Sequence, residues 1–209
     1  MRLPAAAEGR CVTQSAKQVL HLYLVRAREA LLWKLDGLIE YDVRRPMVAT
    51  GTNLLGLVKH VALTEAEYLG MVFGRPFLEA FPDLAPDAEP NADMWARADE
   101  PRQAITDLYR RVWAHGDQTI ADLDLEAEGL VPWWPEERRV VTLHQVLVHV
   151  VAETNRHAGH ADIIRELIDG SAGLNPVFSN LPDVDAAGWA AHVQRLESVA
   201  REAGGVTGA

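Results

Sequence analysis

Four stretches of this 209-residue chain repeat apolar residues at steps of three and four, and no run of alternating apolar and polar residues competes with them. Such steps gather side chains on one face of a helix, because each residue advances about 100° around the axis. The first stretch covers about residues 16–40, with Leu20, Tyr23, Leu24, Ala27, Leu31, Leu35 and Leu38 as its stripe and the polar turn Thr13-Gln14-Ser15 before it. Pro46 and Gly51 break the chain, and Thr52 or Asn53 caps a second helix that runs to about Phe73. Gly74, Pro76, Pro82, Pro86 and Pro90 make the next stretch a long connection. A third helix starts near Pro101, a good first-turn residue, and runs to about Leu125. The loop Pro132-Trp133-Trp134-Pro135 follows; Thr142 then caps a fourth helix that ends near Asp169-Gly170. No strand is expected. The pattern predicts an all-α fold, a four-helix bundle with a long connection between helices two and three.

Three divisions are expected: a flexible N-terminus over residues 1–15, the bundle over 16–170 and an extension over 171–209. The extension contains Pro176 and Pro182, then a weak helix from about Val184 to Ala203. Its stripe, chiefly Leu196 and Val199, is too thin to stand alone, so it should pack on the bundle or on a partner, and a homodimer is expected. The terminal GGVTGA is expected to be disordered.

Composition narrows the chemistry. Apolar residues make up 48% of the chain, enough for a packed core. No apolar run reaches the length of a membrane span and no signal segment is recognisable, so a cytoplasmic protein without a membrane partner is expected. The formal charge is -10. Phosphate backbones repel such a surface, and Arg44-Arg45, Arg110-Arg111 and Arg138-Arg139 each have carboxylates nearby, so no nucleic-acid partner is expected. Cys11 is the single cysteine, which excludes an internal disulfide and a cysteine-based metal cluster. Any metal must be held by histidine and carboxylate.

The fourth helix carries His149, Glu153, His157 and His160 at steps of four, four and three. Glu153 and His157 fall at one edge of its apolar stripe, where another helix can supply a further ligand; His149 and His160 lie further round, closer to solvent. A helical pair four apart converges on one ion, and a borderline divalent ion such as zinc accepts imidazole and carboxylate together. The second helix offers His60 within a polar strip of Asn53, His60, Thr64 and Glu67. Three protein ligands leave a position open for water or substrate. On spacing alone, the competing explanation is a surface pair on one helix and a hydrogen-bonded core histidine on the other. His21, His115, His144 and His192 read as structural.

The blocks LLWKLDGLIEYDVRRPMVATGTNLLGLVKHVALTEAEYL and TLHQVLVHVVAETNRHAGHADIIRELIDG resemble the DinB-like superfamily, nearest to its mini-circle protein branch, over about residues 19–170. The resemblance implies a four-helix bundle whose divalent ion, zinc or nickel, is held by one histidine of the second helix and two residues of the last. Those positions are His60, Glu153 and His157 here. Glutamate in place of one histidine is similar to the branch containing mycothiol-dependent maleylpyruvate isomerase. The family's H-x-G-Q ending reads His157-Ala158-Gly159-His160. His160 therefore stands open as a group that orients a ligand, a substrate contact or an alternative ligand.

Other residues carry paired readings. Trp33 and Trp113 suit core packing, whereas Trp133 and Trp134 can cover the mouth of a pocket. Tyr68, two turns after His60, can donate a proton near an ion or simply pack. Arg156 can bind a carboxylate of a thiol cofactor or pair with Glu153 or Glu166. Glu65 reads as a structural polar contact. The resemblance implies a metal-dependent thiol S-transferase or isomerase, in which a low-molecular-weight thiol such as mycothiol meets a small electrophile. His160 or Tyr68 would handle a proton. The composition, rich in Ala, Arg, Gly and Val, favours mycothiol over bacillithiol by association. A non-enzymatic, stress-associated metal-binding bundle and a metal-dependent hydrolase are the alternatives.

Overall fold

The computed structural model describes residues 14–79, 81–85 and 87–206. Expectations for residues 1–13, including Thr13 and Cys11, for Pro86 and for the final three residues of GGVTGA lie outside the described residues. The fold is mostly helical, in keeping with the all-α expectation.

Helix α1 (Ala16–Trp33) opens on a reciprocal cap: the Ser15 hydroxyl accepts from the Gln18 backbone and the Gln18 side chain accepts from the Ser15 backbone. It stops well before the expected Glu40. The chain turns through Gly37 at φ +76° and then forms the short α2 (Glu40–Arg44). Leu31, Leu35 and Leu38 are all buried, so their spacing reported burial through the turn and not one continuous helix. Arg165 closes the turn, its Nη1 donating to the carbonyls of Lys34 at 3.0 Å and Asp36 at 2.8 Å.

Helix α3 (Leu54–Tyr68) is capped by Asn53, whose side chain accepts from Gly56 N. It is buried almost all the way round. It ends five residues before the expected Phe73, in a 3-10 turn (Met71–Phe73) closed by Gly74 at φ 66°. The long connection then folds back onto α3. Buried Lys59 holds it there through Asp83 at 2.9 Å, Glu100 at 3.1 Å and the Trp95 carbonyl at 3.1 Å. Helix α4 (Arg102–Asp122) follows Pro101.

Two short strands, β1 (Glu128–Leu130) and β2 (Val140–Thr142), pair antiparallel with Gly129 opposite Val141. This corrects the expectation of no strand: three residues per strand are too few for an alternating pattern to register. The ribbon carries the Pro-Trp-Trp-Pro loop between its strands. Helix α5 (Leu143–Asp169) is capped by Thr142 and ends at Gly170 in the left-handed conformation.

The long helices contact in a ring: α1 meets α5, α5 meets α3, α3 meets α4, and α4 returns to α1. One core cluster surrounds Leu55, Val58, Tyr109 and Ala161; a second joins Leu24, Leu69, Ile120 and Leu147 to the ribbon. Trp33 Nε1 and Lys34 Nζ hold the carbonyls of Leu174 and Gly173, fastening the start of the extension. Helix α6 (Ala186–Ala203), capped by Asp185, buries none of its residues. No helix of the described residues is long and apolar enough to cross a membrane.

Candidate metal centre

Helices α3 and α5 run antiparallel, and their facing polar residues form a ladder. His60 faces His157 with ring centroids 4.8 Å apart, and Tyr68 faces His149 at 4.6 Å, eight residues further along one helix and eight back along the other. Between these rungs lies a cavity of about 10 Å³, lined by His60, Thr64, Glu65, Glu153 and His157 among others. That is roughly the room of one water-sized sphere.

His157 is buried, and its Nδ1 has no hydrogen-bond partner. Its Nε2 lies 3.6 Å from Glu153 Oε2, a close charge approach too long for a hydrogen bond. Burial first, and the neighbouring His60 second, push the His157 imidazole down to about 4, with Glu153 opposing. The ring is therefore neutral at neutral pH, the form that offers a lone pair to a metal. His60 Nδ1 lies 2.5 Å from Asp93 Oδ2, so its Nε2 is the nitrogen left for a ligand. Burial raises the Glu67 carboxyl, nearby Asp93 raises it further, and His60 opposes both.

Two imidazoles and a carboxylate around one cavity fit a borderline divalent ion in donor chemistry. The orphaned Nδ1 and the neutral state of His157 agree with that fit. Among the described residues, however, no three His, Cys, Asp or Glu side chains stand as a closed metal-holding set.

Beneath the cavity, Glu65 is fixed on both oxygens: Arg28 Nε donates to Oε2 at 2.9 Å and the Tyr109 hydroxyl donates to Oε1 at 3.0 Å. Arg28 Nη1 continues to Asp117 at 2.7 Å, which also meets His21 at 2.9 Å. The Glu65 carboxylate is thus held as floor.

A family model for mycothiol S-transferases matches residues 19–170, which include every residue of the ladder. The chain belongs to the mycothiol S-transferase family. This family member shares its fold with a conserved protein from Enterococcus faecalis of known crystal structure, at a TM-score of 0.58 and 16% identity, covering 76% of this chain and 100% of that one. No curated protein matches it.

The structure brings the three sequence-predicted ligands of this family member together and leaves the other candidates outside that cavity. His60, Glu153 and His157 line one cavity. His160 is exposed, its ring 5.5 Å from that of His157. Arg156 is also exposed; it adds a positive charge near His157, and among the described residues Glu153 approaches His157 and not Arg156. Tyr68 lies at the far end of the ladder, its hydroxyl oxygen accepting from Trp134 Nε1 at 3.0 Å and Trp133 Nε1 at 3.3 Å. His149 departs from its expected place near solvent: it is half-buried against Tyr68 and Trp134, because the ribbon folds its tryptophans over that end. Of the histidines read as structural, His115 meets the Arg75 carbonyl at 2.7 Å, His192 meets Arg195 within α6, and His144 is exposed.

Asp93 was missed by the sequence reading. It lies 33 residues from His60 in the Pro-rich connection, and no motif marks it. Its position depends on Gly56, since a Cβ there would meet the Met94 carbonyl oxygen at 1.8 Å. A separate cavity of about 430 Å³ between α1 and α4 includes none of the ladder residues.

Proposed function

We propose that this mycothiol S-transferase family member is a divalent-metal-dependent thiol S-transferase or isomerase, which joins mycothiol to a small electrophile. The reading is carried by one observation: a buried His157 with an unpartnered Nδ1, its ring 4.8 Å from that of His60 on the facing helix and its Nε2 3.6 Å from Glu153 on its own. His60, Glu153 and His157 would hold the ion, zinc or nickel, with Asp93 orienting His60. When bound, the ion supplies a lowered thiol pKa, so that the thiolate forms at neutral pH. The exposed His160 beside His157 is the proposed group for the thiol proton, with Tyr68 as the alternative, and Arg156 is the proposed contact for the polar part of the thiol.

The same reading takes the ring of α1, α3, α4 and α5 as a DinB-like four-helix bundle of the mini-circle branch, similar to maleylpyruvate isomerase. Its active unit would span residues 16–170, and the 171–209 extension would lie outside the reaction. A cytoplasmic protein and a homodimer complete the proposal.

The test is metal content by elemental analysis on the purified full chain and on His60→Ala, Glu153→Ala, His157→Ala and His149→Ala. Near-stoichiometric metal is expected in the wild type and in His149→Ala, with large losses in the other three. Full metal in those three, or none in the wild type, overturns the proposal. Mycothiol consumption with a panel of electrophiles should follow metal content across the same variants.

A further inference from the structure

The long connection does more than bring Asp93 to His60. Folding back over the last turns of α3, it walls a second cavity of about 240 Å³. The lining is mostly apolar, with Met71, Phe77, Phe81 and Leu84 among its walls, and two carboxylates, Glu67 and Glu79, enter it. Phe77 and Phe81 form a stacked pair, with ring centroids 5.7 Å apart and an interplanar angle of 9°. Glu79 is already matched: Arg111 Nε and Nη2 donate to its two oxygens at 2.9 Å and 2.8 Å. Glu67 has no such match. It is half-buried, and among the described residues its carboxyl has no hydrogen-bond or ion-pair partner. The charges that act on it are those of Asp93, which repels it, and His60. Burial thus works against this carboxylate with no lysine or arginine beside it to compensate.

We propose that this cavity binds a small aromatic amine as its ammonium ion, with the charge seated on Glu67 and the ring against Phe77 and Phe81. The site is additional to the candidate centre and does not depend on the thiol-transfer reading: Glu67 shares the polar strip of α3 with His60 but lines a different cavity. The unmatched carboxylate selects the charge, since an ammonium supplies both the hydrogen-bond donors and the positive charge that Glu67 lacks. The walls select the body. Apolar surface and phenyl faces desolvate an arene favourably and attract a cation carried beside it. The same carboxylate repels an anion, and the apolar walls offer it no donor. The volume selects the size, because it falls below the range of drug-sized sites, about 300–1,000 Å³, and leaves room for one ring and a short chain.

Isothermal titration calorimetry of phenethylamine into the full chain at neutral pH tests the proposal, with the neutral phenethyl alcohol and the anionic hydrocinnamate as matched ligands. The amine is expected to bind about tenfold or more tightly than the alcohol, the margin of a charge-assisted hydrogen bond, and hydrocinnamate is expected not to bind. Glu67→Gln should abolish the advantage of the amine and leave the alcohol unchanged. Phe81→Ala should weaken both, with circular dichroism as the control for folding. His157→Ala, which breaks the candidate centre, should retain amine binding. No amine binding by the wild type, equal affinity for amine and alcohol, or an amine advantage that survives Glu67→Gln overturns the proposal. Two further outcomes overturn it by assigning another occupant or place. Loss of a second equivalent of metal in Glu67→Gln by elemental analysis would give the carboxylate to an inorganic cation, and loss of amine binding in His157→Ala would put the amine at the centre.

Discussion

Asp93 reaches His60 from a connection that passes over α3, its Oδ2 standing 2.5 Å from Nδ1 of the imidazole. A carboxylate on one ring nitrogen fixes the tautomer and aims the other nitrogen, as outer partners of metal-ligating histidines do. Asp93→Asn should therefore weaken metal binding about 10–100-fold while the fold persists. Competition against a chelator of known affinity, with circular dichroism as the control for folding, checks it. An unchanged affinity would make the contact a purely structural link between the connection and α3.

The ion pair under the cavity predicts a stability effect. Arg28 and Glu65 are both buried, so removing one charge leaves the other without its partner in a low-dielectric interior. Glu65→Ala should cost about 3–5 kcal/mol in urea denaturation of the metal-free protein. Glu65→Gln, which can still accept from Tyr109, should cost less. A loss below about 1 kcal/mol for Glu65→Ala would mean that Asp117 alone satisfies the guanidinium.

Much of the candidate site's geometry is legible in the sequence because helical spacing is a local property. Glu153 and His157 sit one turn apart whatever the rest of the chain does, and antiparallel packing of α3 on α5 then brings His60 opposite them. What spacing could not supply was contact between segments far apart in sequence. Asp93 arrives only because Gly56 and Asn53 let the Ala92–Met94 turn lie against α3, with Asn53 Nδ2 reaching the Met94 carbonyl at 3.4 Å. Spacing alone puts His149 toward solvent, because its position on α5 says nothing of the ribbon that covers it. The break after Trp33 was hidden for the opposite reason: Leu35 and Leu38 keep helical spacing through a turn that Arg165, on a different helix, holds closed.

That closure gives a pH dependence. Hydrogen bonding to Arg165 is the main cause that holds the Asp169 carboxyl down to about 2, with Ser171 adding to it. A carboxylate lowered in the folded state stabilises it above the unfolded value near 3.8, and the contribution is lost as pH falls through about 2. The stability gap between wild type and Asp169→Asn, measured by urea denaturation, should be full at pH 5 and shrink between about pH 4 and 2. A gap of constant size across that window would show that the carboxylate contributes by packing and not by charge.

His157 titrates with the opposite chemistry but the same direction of loss. Its folded imidazole is held near 4 by burial and by His60, against an ordinary value of 6.5. Above 6.5 both folded and unfolded forms are neutral and the group has no effect. As pH falls toward 4 the unfolded chain takes up the proton first, so stability declines through that window and levels off below it. In the metal-free protein, the His157 ring followed by NMR should titrate with a midpoint near 4. Glu153→Gln should lower the midpoint further, because Glu153 is the charge that raises it. A midpoint between 6 and 7 would mean that the ring is solvated in the absence of metal. The neutral, pre-formed donor on which the proposed centre depends would then not exist in the free protein.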